Sequence, residues 1–212
     1  MKKPKLVVFD VDGTLVKIAS SWQFLHEKLG TWDAGKQHAE QFFRGAITYG
    51  DWAKLDASLW TGLKLQRIQQ IFDCLSYTDG AKEVIATLRR KGLKVILLSA
   101  GLTLVTKKVE KEVNADDAIA NELKVKNGLV TGGVRVHVSV NNKDKVLEHI
   151  LKKFDLTMEE CAAVGDDETL IPLFEKVGLS IAFNSHSEIV KNKADFVVEG
   201  NDLRRVLPLL HG

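Results

Sequence analysis

Short, continuously apolar runs alternate along the chain with segments whose apolar positions recur at helical spacing. Strands buried on both faces of a parallel sheet read this way. Residues 5–9 (Lys-Leu-Val-Val-Phe) form the first run, residues 95–98 the second and residues 161–164 the third, with shorter ones at 180–183 and 196–198. Helical stripes fall between them. Ala81, Val84, Ile85 and Leu88 make one, with Asp79 as a candidate N-cap and Gly92 as a stop. Val146, Leu147, Ile150, Leu151 and Phe154 make a second, and Leu170, Leu173, Phe174 and Val177 a third, closed by Gly178. Thr157 and Glu160 have the spacing of a capping box opening a short turn. Strands alternating with helices predict an α/β fold with a parallel sheet flanked by helices.

Two segments depart from this alternation. In residues 122–140 the apolar positions Leu123, Val125, Leu129, Val134, Val136, Val138 and Val140 alternate with polar ones around Asn127-Gly128, which predicts a β-hairpin or small antiparallel flap. Residues 20–77 contain no valine, so buried strands are not expected there. Three helical stripes occur instead: Ala39, Phe42, Phe43, Ala46 and Ile47; then Trp52, Leu55 and Leu59; then Ile68, Ile71, Phe72 and Leu75. All four tryptophans, Trp22, Trp32, Trp52 and Trp60, lie in this stretch. The expected organisation is an α/β core from residues 1–15 and 79–212, with residues 16–78 inserted as an α-helical cap packed by its own aromatic residues.

Composition narrows the function. With 45% hydrophobic and 27% charged residues, 212 residues suffice for a substantial core. A net charge of +2 argues against a nucleic-acid binder, which needs a concentrated basic surface. The basic start Met1-Lys2-Lys3-Pro4-Lys5 precedes an apolar run of only residues 6–9, too short for a signal peptide or a membrane span. Cys74 and Cys161 form no CxxC clip and no bridge framework, which suits a reducing, cytoplasmic compartment. The six histidines (His26, His38, His137, His149, His186 and His211) show no metal-ligand spacing and read as surface or satisfied groups.

The chemistry concentrates at strand ends, where open α/β sheets place ligands. Asp10-Val-Asp-Gly-Thr14 puts two carboxylates on a glycine turn after the first strand. So dense a negative site suits a hard cation such as Mg²⁺. Ser99-Ala-Gly101 ends the second strand and opens a helix, a place where a hydroxyl and backbone amides hold a phosphate. Gly165-Asp166-Asp167 ends the third.

These runs, over nearly the full length, resemble the haloacid dehalogenase superfamily of phosphohydrolases, in its phosphoserine-phosphatase-like branch. Asp10-Val-Asp-Gly-Thr14 looks like the first family motif, DxDGT; Ser99 like the second; Lys143 like the third; Asp166 like the first acid of the fourth. The resemblance implies a Rossmann-like core with a helical cap. It implies Asp10 as nucleophile, forming an aspartyl-phosphate, and Asp12 as general acid and base. It also implies Mg²⁺ held by Asp10, Asp12 through its backbone carbonyl, Asp166 and a further acid. Phosphate would be fixed by Ser99, Gly101 and Lys143, with Lys145 the competitor for the lysine role. The family's usual second acid a turn later is replaced by Leu170 and Ile171; an adjacent-acid variant gives that supporting role to Asp167, with Glu168 as competitor.

Relatives in this branch bind the serine ammonium and carboxylate with a glutamate soon after the first motif and a cap arginine. Ungapped alignment puts Ala19 and Asp56 near those positions, and Arg44 is the only cap arginine before Arg67. Trp22 and Arg44 are therefore the candidates for substrate specificity. Trp52 reads as packing on its apolar stripe. The expected activity is Mg²⁺-dependent hydrolysis of a small phosphorylated metabolite, phosphoserine being one option. A phosphotransferase or mutase on the same scaffold and a catalytically degenerate binding or regulatory protein are the alternatives. The oligomeric state is not readable.

Overall fold

A computed structural model describes residues 3–210. Met1 and Lys2 of the basic N-terminal stretch and His211, read above as a surface group, lie outside the described residues. Strand β1 (Leu6–Phe9) is followed by helices α1 (Ser21–Leu29), α2 (Trp32–Phe43), α3 (Tyr49–Ser58) and α4 (Leu65–Ile71). Next come α5 (Ala81–Arg90), β2 (Lys94–Leu102), α6 (Thr103–Val113), β3 (Asp117–Lys126), β4 (Leu129–Arg135) and α7 (Lys143–Leu151). The chain continues through β5 (Cys161–Gly165), α8 (Ile171–Phe174), β6 (Leu179–Phe183), α9 (Glu188–Lys193), β7 (Phe196–Val198) and α10 (Leu207–Leu210).

The strands form one sheet in the order β4-β3-β2-β1-β5-β6-β7. β1 pairs in parallel with β2 on one side (Phe9↔Leu97) and β5 on the other (Phe9↔Val164). Its carboxyl end is thus the switch point of the sheet. The continuous apolar runs follow from burial on both faces. Val7 and Phe9, Val95 and Leu97, and Ala162 and Val164 pack into one hydrophobic cluster; Leu6 and Val8, Ile96 and Leu98, and Cys161 and Ala163 pack into the other. Each such side chain contributes about 1.5–3 kcal/mol on burial. α5 and α6 cover the first face, and α7, α8 and α9 the second.

The segment before α5 is helical, as its lack of valine predicts, but its packing differs from the expectation. Trp22, Leu25, Ala53, Ala57, Trp60, Ile68 and Phe72 belong to the same cluster as one sheet face, so the aromatic residues do not form a core of their own. On α3 the buried face is Ala53, Asp56 and Ala57, while Leu55 and Leu59 stand 36% and 38% exposed. The Trp52-Leu55-Leu59 stripe is therefore not the packed one: the helix turns its small residues toward its neighbours. α2 likewise leaves Phe43 76% exposed.

The hairpin turns at Asn127 and Gly128, both with positive φ (51° and 77°), as a two-residue hairpin turn requires. The hairpin is not a separate flap. β3 begins at Asp117 and its first half lies parallel to β2 (Ile96↔Asp117, Leu98↔Ile119); only its second half pairs antiparallel with β4 (Glu122↔Arg135, Lys126↔Leu129). An acidic first residue and small Ala118 and Ala120 conceal this strand from a search for bulky apolar runs. β4 ends at Arg135, and the buried Val138 lies in a loop. Two further details differ. Gly80 (φ 75°), not Asp79, is the N-cap of α5, and Asp79 instead accepts from the Lys17 ammonium at 2.7 Å. The third stripe gives a 3₁₀ turn (Glu168–Leu170) and the short α8 rather than one helix to Val177. The Thr157–Glu160 capping box forms and opens a 3₁₀ turn.

Candidate active site

Asp10 leaves β1 buried. Its Oδ1 accepts from the Val11 amide (2.7 Å) and its Oδ2 from Lys143 Nζ (2.6 Å). Lys143 is the first residue of α7, and it reaches Asp10 across 133 residues of sequence, itself buried. After Asp10 the chain curls: the Leu15 and Val16 amides both donate to the Val11 carbonyl. Gly13 has a φ of 77°, and a Cβ there would collide with the Asp166 carboxylate, so glycine is required twice over. Thr14 Oγ1 donates to Asp166 Oδ1 at 2.6 Å, tying the turn to the end of β5.

Asp12 Oδ2 accepts from the Ser21 amide at 2.6 Å, while its Oδ1 is buried without a hydrogen-bond partner. Ser21 Oγ accepts in turn from the Leu102 amide (2.9 Å), so the start of α1 joins the first and second strand ends. A side chain at Gly101 would collide with Ser21 Oγ and Asp12 Oδ2; this close approach explains the glycine after Ser99. Ser99 Oγ accepts from the Gly101 amide at 2.9 Å.

Burial dominates the electrostatics. It pushes the Asp10 carboxyl up to about 7, with Lys143 pulling against it and the Asp167 charge adding to it. Burial likewise raises Asp12, against the opposing hydrogen bonds from Ser21. Asp166 rises to about 8, through burial first and then the Asp10 charge, with the Thr14 hydrogen bond opposing. Burial acts to lower Lys143, but Asp10, Asp167 and Asp166 together outweigh it and the ammonium is held above its usual range. Among the described residues no three metal-ligating side chains converge into a ready cage. Still, the Asp10 and Asp167 charges both raise the Asp166 carboxyl, and a bound cation would relieve that repulsion. Hard oxygens from few carboxylates, with room for water, suit Mg²⁺.

A cavity of about 140 Å³ opens on these groups. Asp10, Asp12, Ser99, Gly101, Lys143 and Asp167 line it on the sheet side, and Ala19, Trp22, Tyr49 and Trp52 on the helical side. Asp166 lines an adjoining cavity with Gly13. Asp167 is exposed and caps the 3₁₀ turn through the Thr169 amide (3.0 Å). Glu168 turns away to Ser187 Oγ (2.8 Å), and Lys145 is exposed on α7 outside the cavity. Leu170 is fully buried against Gly165. Arg44 is placed elsewhere: it follows the last turn of α2 with its side chain 77% exposed and paired with Glu40, contrary to a specificity role. Trp22 lines the cavity, and so does Trp52, whose stripe favours packing.

Several residues at the site carry no motif. Tyr49, which reads in sequence only as a break between stripes, sends its hydroxyl to the Ala100 carbonyl (2.8 Å). Trp22 Nε1 (3.1 Å) and Asn121 Nδ2 (2.8 Å) donate to the same carbonyl. Asn121 also donates to the Tyr49 hydroxyl and the Val138 carbonyl and accepts from the His137 and Val138 amides. Behind the aromatic wall, buried Asp56 meets His38 Nδ1 at 2.7 Å and His26 Nε2 at 3.3 Å, the latter without hydrogen-bond geometry. Only folding brings these two histidines together, 12 residues apart on different helices.

Residues 7–175 match the family model of haloacid dehalogenase-like hydrolases. The chain belongs to that family. It is 33% identical over 207 residues to the phosphoserine phosphatase of Methanocaldococcus jannaschii, covering 97% of each chain. Two solved phosphoserine phosphatase structures, a substrate-bound complex and a phospho-aspartyl intermediate analogue, align at 32% identity with TM-scores of 0.85 and 0.84. Both alignments cover 99% of this chain and 100% of theirs. Phosphatase chemistry is the activity these relationships support, and Mg²⁺ use is general among such enzymes. No helix among the described residues is long and apolar enough to cross a membrane.

Proposed function

We propose that this phosphatase hydrolyses a small phosphorylated metabolite through an aspartyl-phosphate on Asp10. One observation carries the reading: buried Asp10, held at 2.6 Å by a buried lysine, shares a cavity with a second carboxyl, Asp12, two residues on. An Asp10 oxygen attacks phosphorus, the new O–P bond forms, and the bond to the substrate's alkoxide breaks. Asp12, whose carboxyl burial keeps protonated beyond the ordinary range, gives its proton to that alkoxide. The resulting carboxylate then takes a proton from the water that attacks the aspartyl-phosphate, which frees phosphate and restores both acids. The Ser21 amide orients Asp12 for both transfers. Lys143, Ser99 and the Gly101 amide hold phosphoryl oxygens, the lysine as a point charge.

Asp10, the Asp12 backbone carbonyl and Asp166, with Asp167 in support, would hold Mg²⁺. When bound, the metal supplies positive charge that offsets the repulsion between an anionic nucleophile and an anionic phosphate. Residues 16–78 act as a cap that excludes water, joined to the core domain through the Ala100 carbonyl. Two unpaired cysteines suit a cytoplasmic enzyme. The test is phosphate release from a panel of phosphomonoesters with and without Mg²⁺. Activity that survives in Asp10→Asn would overturn the assignment.

A further inference from the structure

The helical wall of the cavity carries information about the leaving group. It consists of Trp22, Tyr49, Trp52, Ala19 and Ser20, with no basic side chain among them. Among the described residues the one cation lining the cavity, Lys143, is buried and bound to Asp10 at the phosphoryl end. A carboxylate on the substrate's alcohol would therefore lie against aromatic rings with no counter-charge, an unfavourable arrangement. The remaining charge is negative. Asp167 lines the cavity, and a small apolar void between Trp22, Tyr49, Trp52 and Ala53 separates it from Asp56, whose carboxylate meets His38. Ring faces with no cation beside them attract an ammonium.

The rings are also held in place. Trp22 stacks on Trp60 (5.8 Å, 23°), Trp52 stacks on Phe42 (4.9 Å, 24°), and Tyr49 stands edge-on to Trp52 (79°). Trp22 and Tyr49 are further fixed to the Ala100 carbonyl. The cavity, about 140 Å³, suits a small ester.

Resting on the phosphomonoesterase reading above, we propose that the substrate class is the phosphate ester of a small cationic amino-alcohol without a carboxylate. The ammonium sits against Trp22, Tyr49 and Trp52, with Asp56 behind them.

Three esters of nearly equal size separate the possibilities: O-phosphoethanolamine (ammonium, no carboxylate), 2-hydroxyethyl phosphate (neutral) and O-phosphoserine (ammonium plus carboxylate). Phenyl phosphate reports the phosphoryl chemistry alone. With Mg²⁺ present, kcat/KM for O-phosphoethanolamine is expected to exceed that for each of the other two alkyl esters by about tenfold or more. Trp52→Leu should collapse the ratio of O-phosphoethanolamine to 2-hydroxyethyl phosphate toward one, and Trp52→Phe should preserve most of it. Binding is read separately by tryptophan fluorescence in Asp10→Asn, where O-phosphoethanolamine should saturate at a concentration about tenfold below 2-hydroxyethyl phosphate. Phosphoserine turned over as well as O-phosphoethanolamine, or equal affinity for the neutral and cationic esters, overturns the proposal while leaving the phosphatase reading intact. Absence of Mg²⁺-dependent turnover on all four esters removes the phosphatase reading instead, and the fluorescence titration still decides the preference for a cation.

Discussion

At the residue scale the two motif-one carboxyls have separable tasks. Asp10→Asn removes the attacking oxygen's charge and its ion pair with Lys143, so steady-state turnover should fall by at least about a thousandfold, with no aspartyl-phosphate trapped. Asp12→Asn removes proton transfer to and from the ester and water oxygens; a fall of about 10²–10⁴ in kcat is expected. That loss should be smaller for an activated leaving group such as p-nitrophenolate, which departs without a proton. An Asp12→Asn loss equal on activated and alkyl esters would contradict the general-acid role. The acids after β5 divide similarly. Asp166 is raised by the Asp10 charge, and Asp167 adds to both, whereas Glu168 is bonded away to Ser187. In Mg²⁺ titrations of activity, Asp166→Asn should raise the half-saturating concentration most, Asp167→Asn less, and Glu168→Gln within about twofold of the parent.

At the element scale, strand β2 and the helices before α5 meet at one carbonyl. Asn121 has five partners there: its Nδ2, with two hydrogens, lies within bonding distance of three acceptors, and its Oδ1 accepts from two amides. Asn121→Ala leaves several buried groups unpaired, at about 1–3 kcal/mol for the desolvated set. Thermal denaturation should register this as a loss of several degrees. Leu59→Lys, at the exposed position just after α3, should change stability by less than about 1 kcal/mol. These contrasts also mark what was legible in the chain. β1, β2 and β5 read plainly because burial on two faces makes a strand continuously apolar, and the polar residues that follow them stand out at once. The first half of β3 did not, because Asp117, Ala118 and Ala120 are small or charged. Periodicity misplaced the packed face of α3, since close helix contact selected Ala53 and Ala57 over the larger Leu55 and Leu59. Tyr49, Asn121, His26 and His38 have no local signature: each owes its place to partners 12 or more residues away in sequence.

At the scale of the whole molecule, the site is a store of electrostatic tension in a chain of almost no net charge. Asp10 and Asp166 carry folded-state carboxyls near 7 and 8, well above the ordinary 3.8. Between about pH 4 and pH 8 the folded chain therefore binds more protons than the unfolded one, and without metal its stability must fall as pH rises through that window. A shift of three pKa units corresponds to roughly 4 kcal/mol, so Asp10 alone accounts for a drop on the order of ten degrees. Glu112, lowered to about 2 by its Lys108 and Lys82 partners, acts in the opposite sense and only below about pH 4.5; it is near the surface and weak. Melting in EDTA should thus be highest near pH 5 and decline steadily to pH 8.5. Excess Mg²⁺ binds the deprotonated carboxylates, so the melting increment it gives should be near zero at pH 5 and greatest at pH 8.5. The same increment should shrink most in Asp166→Asn, because neutralising that one carboxyl removes both the repulsion and the charge that draws the cation.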